Sequence, residues 1–249
     1  MTMTFSWFGD GYDSVSLDQI KQIPCVKGIV STLYNKLPGE LWSQDEVHSL
    51  KEKIEFRGLT LEGIESVNIH DSIKVGSSDR DKYIENYIKT LEVLGKENIH
   101  MVCYNFMPVF DWTRSDLAKV REDGSSVMSY DPELVAKINV DDFMNHMTEK
   151  SNNFKLAGWE PERLAHIREL FEMYRNVDEN SLFNNLCYFL KAIMPVCNKY
   201  DINMAIHPDD PSWPVFKLPR IVKGKEDLVR LLKEVNDKHN GVTLCTGSL

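Results

Sequence analysis

The chain alternates between two hydrophobic periods, and each switch is punctuated in the same way. A capping box opens a stretch of helical periodicity, a glycine closes it, and a nearly continuous apolar, β-branched run follows. Ser16-Leu17-Asp18-Gln19 opens a short helix that stops near Pro24, before VKGIVSTLY. Ser43-Gln44-Asp45-Glu46 opens a helix to about Phe56, with Gly58 as its stop, before LTLEGIES. Ser78 and Asp81 start a third, through Tyr83, Ile84, Tyr87, Leu91 and Leu94 to Gly95, before HMVCYNF. In such a box the serine oxygen satisfies an orphan backbone N–H, and the side chain three residues on satisfies that of the serine. Glycine at the far end takes the left-handed conformation that ends a helix. The pattern resumes with a helix from about Asp178 to Lys199 before NMAIHP, its Pro195 expected to kink it. Another runs from about Lys225 to Lys238, stopped by Asn240-Gly241, before VTLCTG. FSWFG at the N-terminus is a sixth strand. The segment from Arg114 to Gly158 is polar and irregular and reads as a long insertion, with a helix near Val140–Met147.

Strands that alternate with helices imply parallel βαβ units, and apolar runs of this kind suit strands buried on both faces. Two architectures remain, the closed barrel and the open doubly wound sheet. No glycine-rich phosphate-binding motif supports the open sheet. Polar residues instead recur at the C-terminal ends of the strands: Glu65, Ser66 and Asn68, Tyr104 and Asn105, His207, Cys245. Active sites of (β/α)8 barrels lie on that face. The expected fold is α/β, a TIM barrel in one domain over residues 1–249, with the insertion at about 114–158 and about six of eight strands present. A barrel of six strands cannot close and would leave two unpaired edges.

Composition narrows the function. The net charge of −9 disfavours nucleic acid as a partner. No apolar run approaches the roughly 20 residues that span a bilayer, and the start lacks the features of a signal peptide. Five irregularly spaced cysteines form neither a disulfide framework nor a paired metal knuckle. These points argue for a reducing, cytoplasmic location.

His207 and Cys245 each end an apolar strand, in AIHP and TLCTG, on strands that a barrel makes neighbours. Imidazole and thiolate suit a divalent transition metal. Two ligands do not make a site, and the alternatives of a satisfied structural histidine and a small core cysteine stay open. Asp209 and Asp210 either orient His207, act as acid or base, or cap the turn before Pro211. His70 and Asp71 in NIHD form either a second ligand pair or a surface turn. CYNFMPVFDWTR brings Tyr104, Asn105, Asp111, Trp112 and Arg114 past one strand. Aromatic faces, an amide and a guanidinium suit a polyhydroxylated acid, the arginine gripping its carboxylate. Trp7 either joins that wall or plugs the barrel bottom. Cys25, Cys103, Cys187 and Cys197 read as core.

ESVNIHD, RDKYIENYIKTL, VCYNFMPVFDWTRSDLAKV, LAGWEPERLAHI, AIHPDDPSWPVFKLPRIV and GVTLCTGSL together resemble the mannonate dehydratase family, in order from Met3 to Leu249. The resemblance implies a xylose-isomerase-like TIM barrel. It implies dehydration of D-mannonate to 2-dehydro-3-deoxy-D-gluconate in hexuronate (glucuronate) breakdown, with Mn2+ or Fe2+. By it, His207 and Cys245 fall on two metal-ligand positions; the family takes a further histidine and aspartate, and its principal proton-transfer residues, from strands beyond Leu249. By their chemistry, Tyr104, Asn105, Trp112, Arg114 and Trp7 are the expected sugar-acid pocket, and Asp209 is a candidate to orient His207 or to act as a catalytic carboxylate. A small-molecule sugar acid is the expected partner, with a homo-oligomer such as a dimer as the expected assembly. The competing readings are a metal-dependent sugar isomerase or epimerase on the same barrel, and an inactive truncated fragment.

Overall fold

The computed structural model describes residues 2–137, 142 and 166–248. Six parallel strands form one sheet: β1 (Met3–Ser6), β2 (Val26–Ser31), β3 (Thr60–Glu65), β4 (Met101–Tyr104), β7 (Asn203–Ile206) and β8 (Asn240–Val242). Their order in the sheet is their order in the chain, with no reversal. A doubly wound sheet turns back at a switch point, whereas a barrel runs on in one direction. The fold is therefore α/β, and the sheet is that of a (β/α)8 barrel over six consecutive strands. Among the described residues no helix is long and apolar enough to cross a membrane.

The helices arise where the capping signals lie. Ser16 and Ser43 form complete capping boxes with Gln19 and Glu46 at the starts of α1 (Leu17–Ile20) and α2 (Gln44–Glu55). Gly58 follows α2 at φ +73, its N–H bonded to the Glu55 carbonyl at 2.8 Å. Asp178 caps α7 (Glu179–Tyr200) through Ser181, and the helix runs on through Pro195. Its inward face, including Leu186, Phe189, Leu190, Ile193 and Cys197, is buried against the sheet and against α4 (Arg80–Lys96).

Several boundaries differ from the sequence reading. Helix α4 starts after Asp79, without a side-chain cap, and not at Ser78. It also runs past Gly95, because this glycine marks a close approach and not an end: a Cβ there would lie 2.4 Å from Cβ of Tyr200 on α7. The left-handed residue that ends the helix is Asn98, at φ +58. Helix α8 (Lys225–Glu234) is shorter than expected. His70 and Asp71 stand at the start of a helix and not in a surface turn. His70 Nδ1 accepts from Ser72 N at 3.1 Å, capping α3 (Asp71–Val75), and its ring stacks on Tyr83 at 3.6 Å. Asp71 is buried and accepts a hydrogen bond from the Tyr174 hydroxyl at 2.7 Å. Tyr174 directly follows α6 (Ile167–Met173). Cys25 is exposed at φ +71, in the turn before β2, and is not core.

Within the insertion an antiparallel hairpin, β5 (Asp116–Val120) and β6 (Ser126–Ser129), leads to α5 (Pro132–Lys137). Its hydrophobic alternation is too weak to have signalled strands. The helix expected near Val140–Met147 lies outside the described residues apart from Asp142.

Candidate active site

A cavity of about 300 Å³ opens at the C-terminal ends of β1 to β4 and β7, where the barrel expectation put it. Ser6, Thr32, Glu65, Cys103 and His207 come from the strand ends, and Asp111, Trp112, Arg114 and Met128 from the insertion side. The loop from Asn105 to Arg114 is pinned from beneath. The Lys74 ammonium, itself buried, donates to the Met107 carbonyl at 2.8 Å, and Phe106 and Phe110 are fully buried. Val109 is held at φ +60, a strained conformation for a β-branched residue.

His207 directly follows β7, and its N–H donates to the Tyr104 carbonyl at 2.7 Å, extending the β4–β7 pairing by one residue. Its Nδ1 lies 2.8 Å from the Pro208 carbonyl. A carbonyl only accepts, so this nitrogen carries the proton and the Nε2 lone pair is left for a ligand. Cys245 lies three residues past β8, whose pairing with β7 continues one step through Thr243 N to Ile206 O at 2.8 Å. Its Sγ is 3.3 Å from Ser248 Oγ, and it lies outside the cavity lining. The two residues thus sit at neighbouring strand ends. Among the described residues no set of three His, Cys, Asp or Glu side chains gathers to hold an ion.

The other expected residues divide. Tyr104, Asn105, Trp112 and Arg114 line the cavity, and Trp7 does not. Asn105 Oδ1 accepts from Met107 N at 3.1 Å, which turns its NH2 group to other partners. Arg114 does not stand free. Its two terminal nitrogens donate to the two Asp210 oxygens, each at 2.7 Å, and Nη1 also donates to the Thr113 carbonyl. The pocket therefore presents a neutralised fork and not a bare guanidinium.

Tyr104 lines the cavity from the strand end, while its ring packs edge-on to Phe189 and its buried hydroxyl has no partner among the described residues. Burial pushes that phenol well above the ordinary tyrosine range. Cys103, its neighbour on the other face of the strand, bonds with Thr243 Oγ1 at 3.3 Å. Burial, then the Glu65 charge, push its thiol up to about 12. Trp7 is 1% exposed and donates through Nε1 to the Val15 carbonyl at 3.2 Å. Alternation along the strand sends Ser6 and Phe8 to the cavity and Trp7 away from it.

Asp209 is likewise placed away from the imidazole. The returning chain takes it: its N–H donates to the Val222 carbonyl at 2.9 Å, and its Oδ2 accepts from Ile221 N at 2.6 Å and Val222 N at 2.8 Å. Burial raises its pKa, opposed by the Arg220 charge and these N–H groups. Asp210 is the acid that reaches the cavity. The sequence reading favoured Asp209, and only the pairing with Ile221 and Val222, distant in the chain, shows that Asp210 is the one of the two at the cavity. Tyr34 was not singled out by any motif, although it follows a strand end. Burial, then Glu65 and Asp13, raise its pKa.

The chain matches the D-mannonate dehydratase (UxuA) family over residues 1–249. The chain belongs to the mannonate dehydratase family. It is 60% identical over its whole length to the mannonate dehydratase of Brachyspira hyodysenteriae and 51% identical to that of Thermotoga maritima. It spans 70% and 69% of those two proteins. The crystal structure of mannonate dehydratase from Streptococcus suis serotype 2 superposes with a TM-score of 0.87 at 38% identity, covering all of this chain and 65% of that one. Mannonate dehydratases are hydro-lyases.

Proposed function

We propose that the protein dehydrates D-mannonate to 2-dehydro-3-deoxy-D-gluconate, in the cytoplasm and in the breakdown of hexuronates such as glucuronate. The observation that carries this reading is the family match over all 249 residues. The cavity supports it, because its volume is at the small-molecule scale and its wall mixes an aromatic face with amide and carboxylate groups.

The chemistry requires loss of the C3 hydroxyl and of the C2 proton, which is only weakly acidic beside a carboxylate. We assign the metal role to Mn2+ or Fe2+, with His207 Nε2 and Cys245 Sγ as two of its ligands; a bound divalent ion supplies Lewis-acid stabilisation of developing negative charge. The lone pair left on Nε2 by the Pro208 contact fits that role. The remaining work falls to the chain's own groups. Trp112 offers a face to the C–H surface of the sugar acid. The Asn105 amide donates to, and Asp111 accepts from, its hydroxyls. Arg114, paired with Asp210, contributes its remaining N–H donors and a fixed geometry. We extend the proposal to a homo-oligomer, for which light scattering on the purified protein is the check.

The deciding experiment incubates the purified protein with D-mannonate and Mn2+ or Fe2+, and assays a 2-keto-3-deoxy acid by periodate and thiobarbiturate. Chromogen formation is expected. Mannonate converted to an isomer without chromogen would overturn dehydration in favour of isomerisation, and no conversion with either metal would overturn both for this chain in favour of the inactive-fragment reading.

A further inference from the structure

Lys74 on α3 is 2% exposed, although a lysine is seldom buried in full unless it is paired. Its ammonium donates to the Met107 carbonyl at 2.8 Å. The helix that carries it is held in turn, the Asn185 amide of α7 donating to the Lys74 carbonyl at 2.9 Å. Lys74 lines a void of about 10 Å³ with Ser66, Asn68, Asn105 and Asp111, and those four also line the main cavity. The lysine therefore stands one side chain behind the pocket.

The residue it holds is a junction. The Met107 carbonyl accepts from Lys74, its N–H donates to Asn105 Oδ1 at 3.1 Å, and its sulfur accepts from Asp210 N at 3.4 Å. Helix α3, the loop after β4 and the turn after β7 thus meet at one buried side chain. Pro108 follows, so the peptide between Met107 and Pro108 has no N–H, and its carbonyl is the one polar handle by which it can be held. With that carbonyl fixed on one side and the N–H engaged on the other, Met107 cannot turn about its Cα without breaking a bond. An amide side chain has one acceptor end and one donor end. Since the Met107 N–H takes the acceptor end of Asn105, the set of Met107 decides where the Asn105 NH2 group points, and Asn105 is a wall residue of the cavity.

We propose that Lys74 is a positioning residue of the pocket: through the Met107 main chain it sets the direction of the Asn105 amide that meets the sugar acid. It touches no substrate. It fixes a hydrogen-bond donor before the sugar acid arrives, the form of preorganisation that lowers the cost of binding. The proposal rests on the mannonate reading above for its substrate.

The test makes Lys74→Met, which keeps the aliphatic stem and removes the donors, in the wild type and in an Asn105→Ala background. K74M is expected to raise KM for D-mannonate about tenfold, the scale of one lost hydrogen bond, while kcat changes much less. In the N105A background the same substitution should raise KM little further, because the amide it positions is gone. Wild-type KM in a folded K74M protein overturns the proposal. So does an equal rise in both backgrounds, which would mark a general loosening of the fold. If K74M does not fold, Asn105→Ala and Asn105→Asp at intact Lys74 decide. Aspartate keeps the oxygen that Met107 N binds and loses the NH2 group, so a raised KM in both supports an oriented donor, and an unchanged KM in either overturns it. The wild-type control separates the two levels. A wild type that neither binds D-mannonate in calorimetry nor turns it over refutes the substrate reading and this proposal with it. One that binds without turnover is tested in the same way by Kd, and an active wild type with an indifferent K74M refutes only the role of Lys74.

Discussion

At the scale of single residues, the site turns on which atoms are already spoken for. His207 donates from Nδ1 to its neighbour's carbonyl and keeps Nε2 open, so replacing it removes the proposed metal ligand and little else. His207→Ala is expected to lose bound metal and to lower turnover at least about 100-fold, the upper end for residues that merely support a metal ligand. Metal analysis of dialysed protein checks this, and full metal content in the variant would remove His207 from the ligand set. Arg114 has the opposite character, being committed to Asp210 in a two-bond fork with both side chains 17% exposed. Arg114→Ala leaves Asp210 unpaired in the cavity wall, so it should raise KM and also lower thermal stability by more than a surface pair's ~1 kcal/mol. Adding Asp210→Ala should return part of the stability. A double-mutant cycle with no coupling would show that the fork carries no energy.

At the scale of elements, capping was legible because its signals are local. Ser43 and Glu46 sit three residues apart in the sequence and satisfy each other's backbone groups in the fold. Glu46 also pairs with Lys36 at 2.8 Å. The Lys36 and Ser43 bonds hold its carboxyl down at about 2. A depressed folded pKa gives stability that is present above the unfolded value and lost as pH falls through the folded one. Glu46→Gln keeps the cap and drops the charge, so its melting temperature should lie below wild type near neutrality. The gap should close between the ordinary carboxylate range and about pH 2; a gap independent of pH would refute the ion-pair assignment. Gly95 shows where local reading fails. As a helix stop it looks like Gly58, yet its reason is Tyr200, over a hundred residues away. Gly95→Ala gains about 1 kcal/mol in helix propensity, but the clash with a Cβ, which cannot swing aside, costs roughly 1–3 kcal/mol or more. Net destabilisation is expected in a denaturant titration, and a stabilised variant would show that α4 and α7 are less closely packed. The same distinction runs through the site: His207 and the loop after β4 were visible as local motifs. The fates of Asp209 and Tyr104 depend on distant partners that no spacing reveals.

At the scale of the whole molecule, the five cysteines sample every layer of the fold. Cys103 lies at a strand end, and burial with the Glu65 charge lifts it to about 12. Cys197 and Cys187 lie on the inward face of α7, lifted by burial to about 12 and about 11. Thiol reagents attack the thiolate, and a thiol with a pKa near 11 is ionised roughly one part in a thousand at pH 8. These three should therefore be silent in the native protein, for reasons of both access and charge. Cys25, exposed in the turn before β2, should react first. Cys245 is partly buried, with Ser248 beside its sulfur, and should follow more slowly. Native protein titrated with a disulfide reagent at pH 8 is thus expected to release two equivalents in two phases, and five after denaturation. Mn2+ should suppress the slower phase alone, because a thiolate bound to metal is no longer a free nucleophile. A third native equivalent would mean that α7 does not seal Cys187 and Cys197 as described or that the cavity admits the reagent to Cys103, and a slow phase indifferent to Mn2+ would remove Cys245 from the ligand pair.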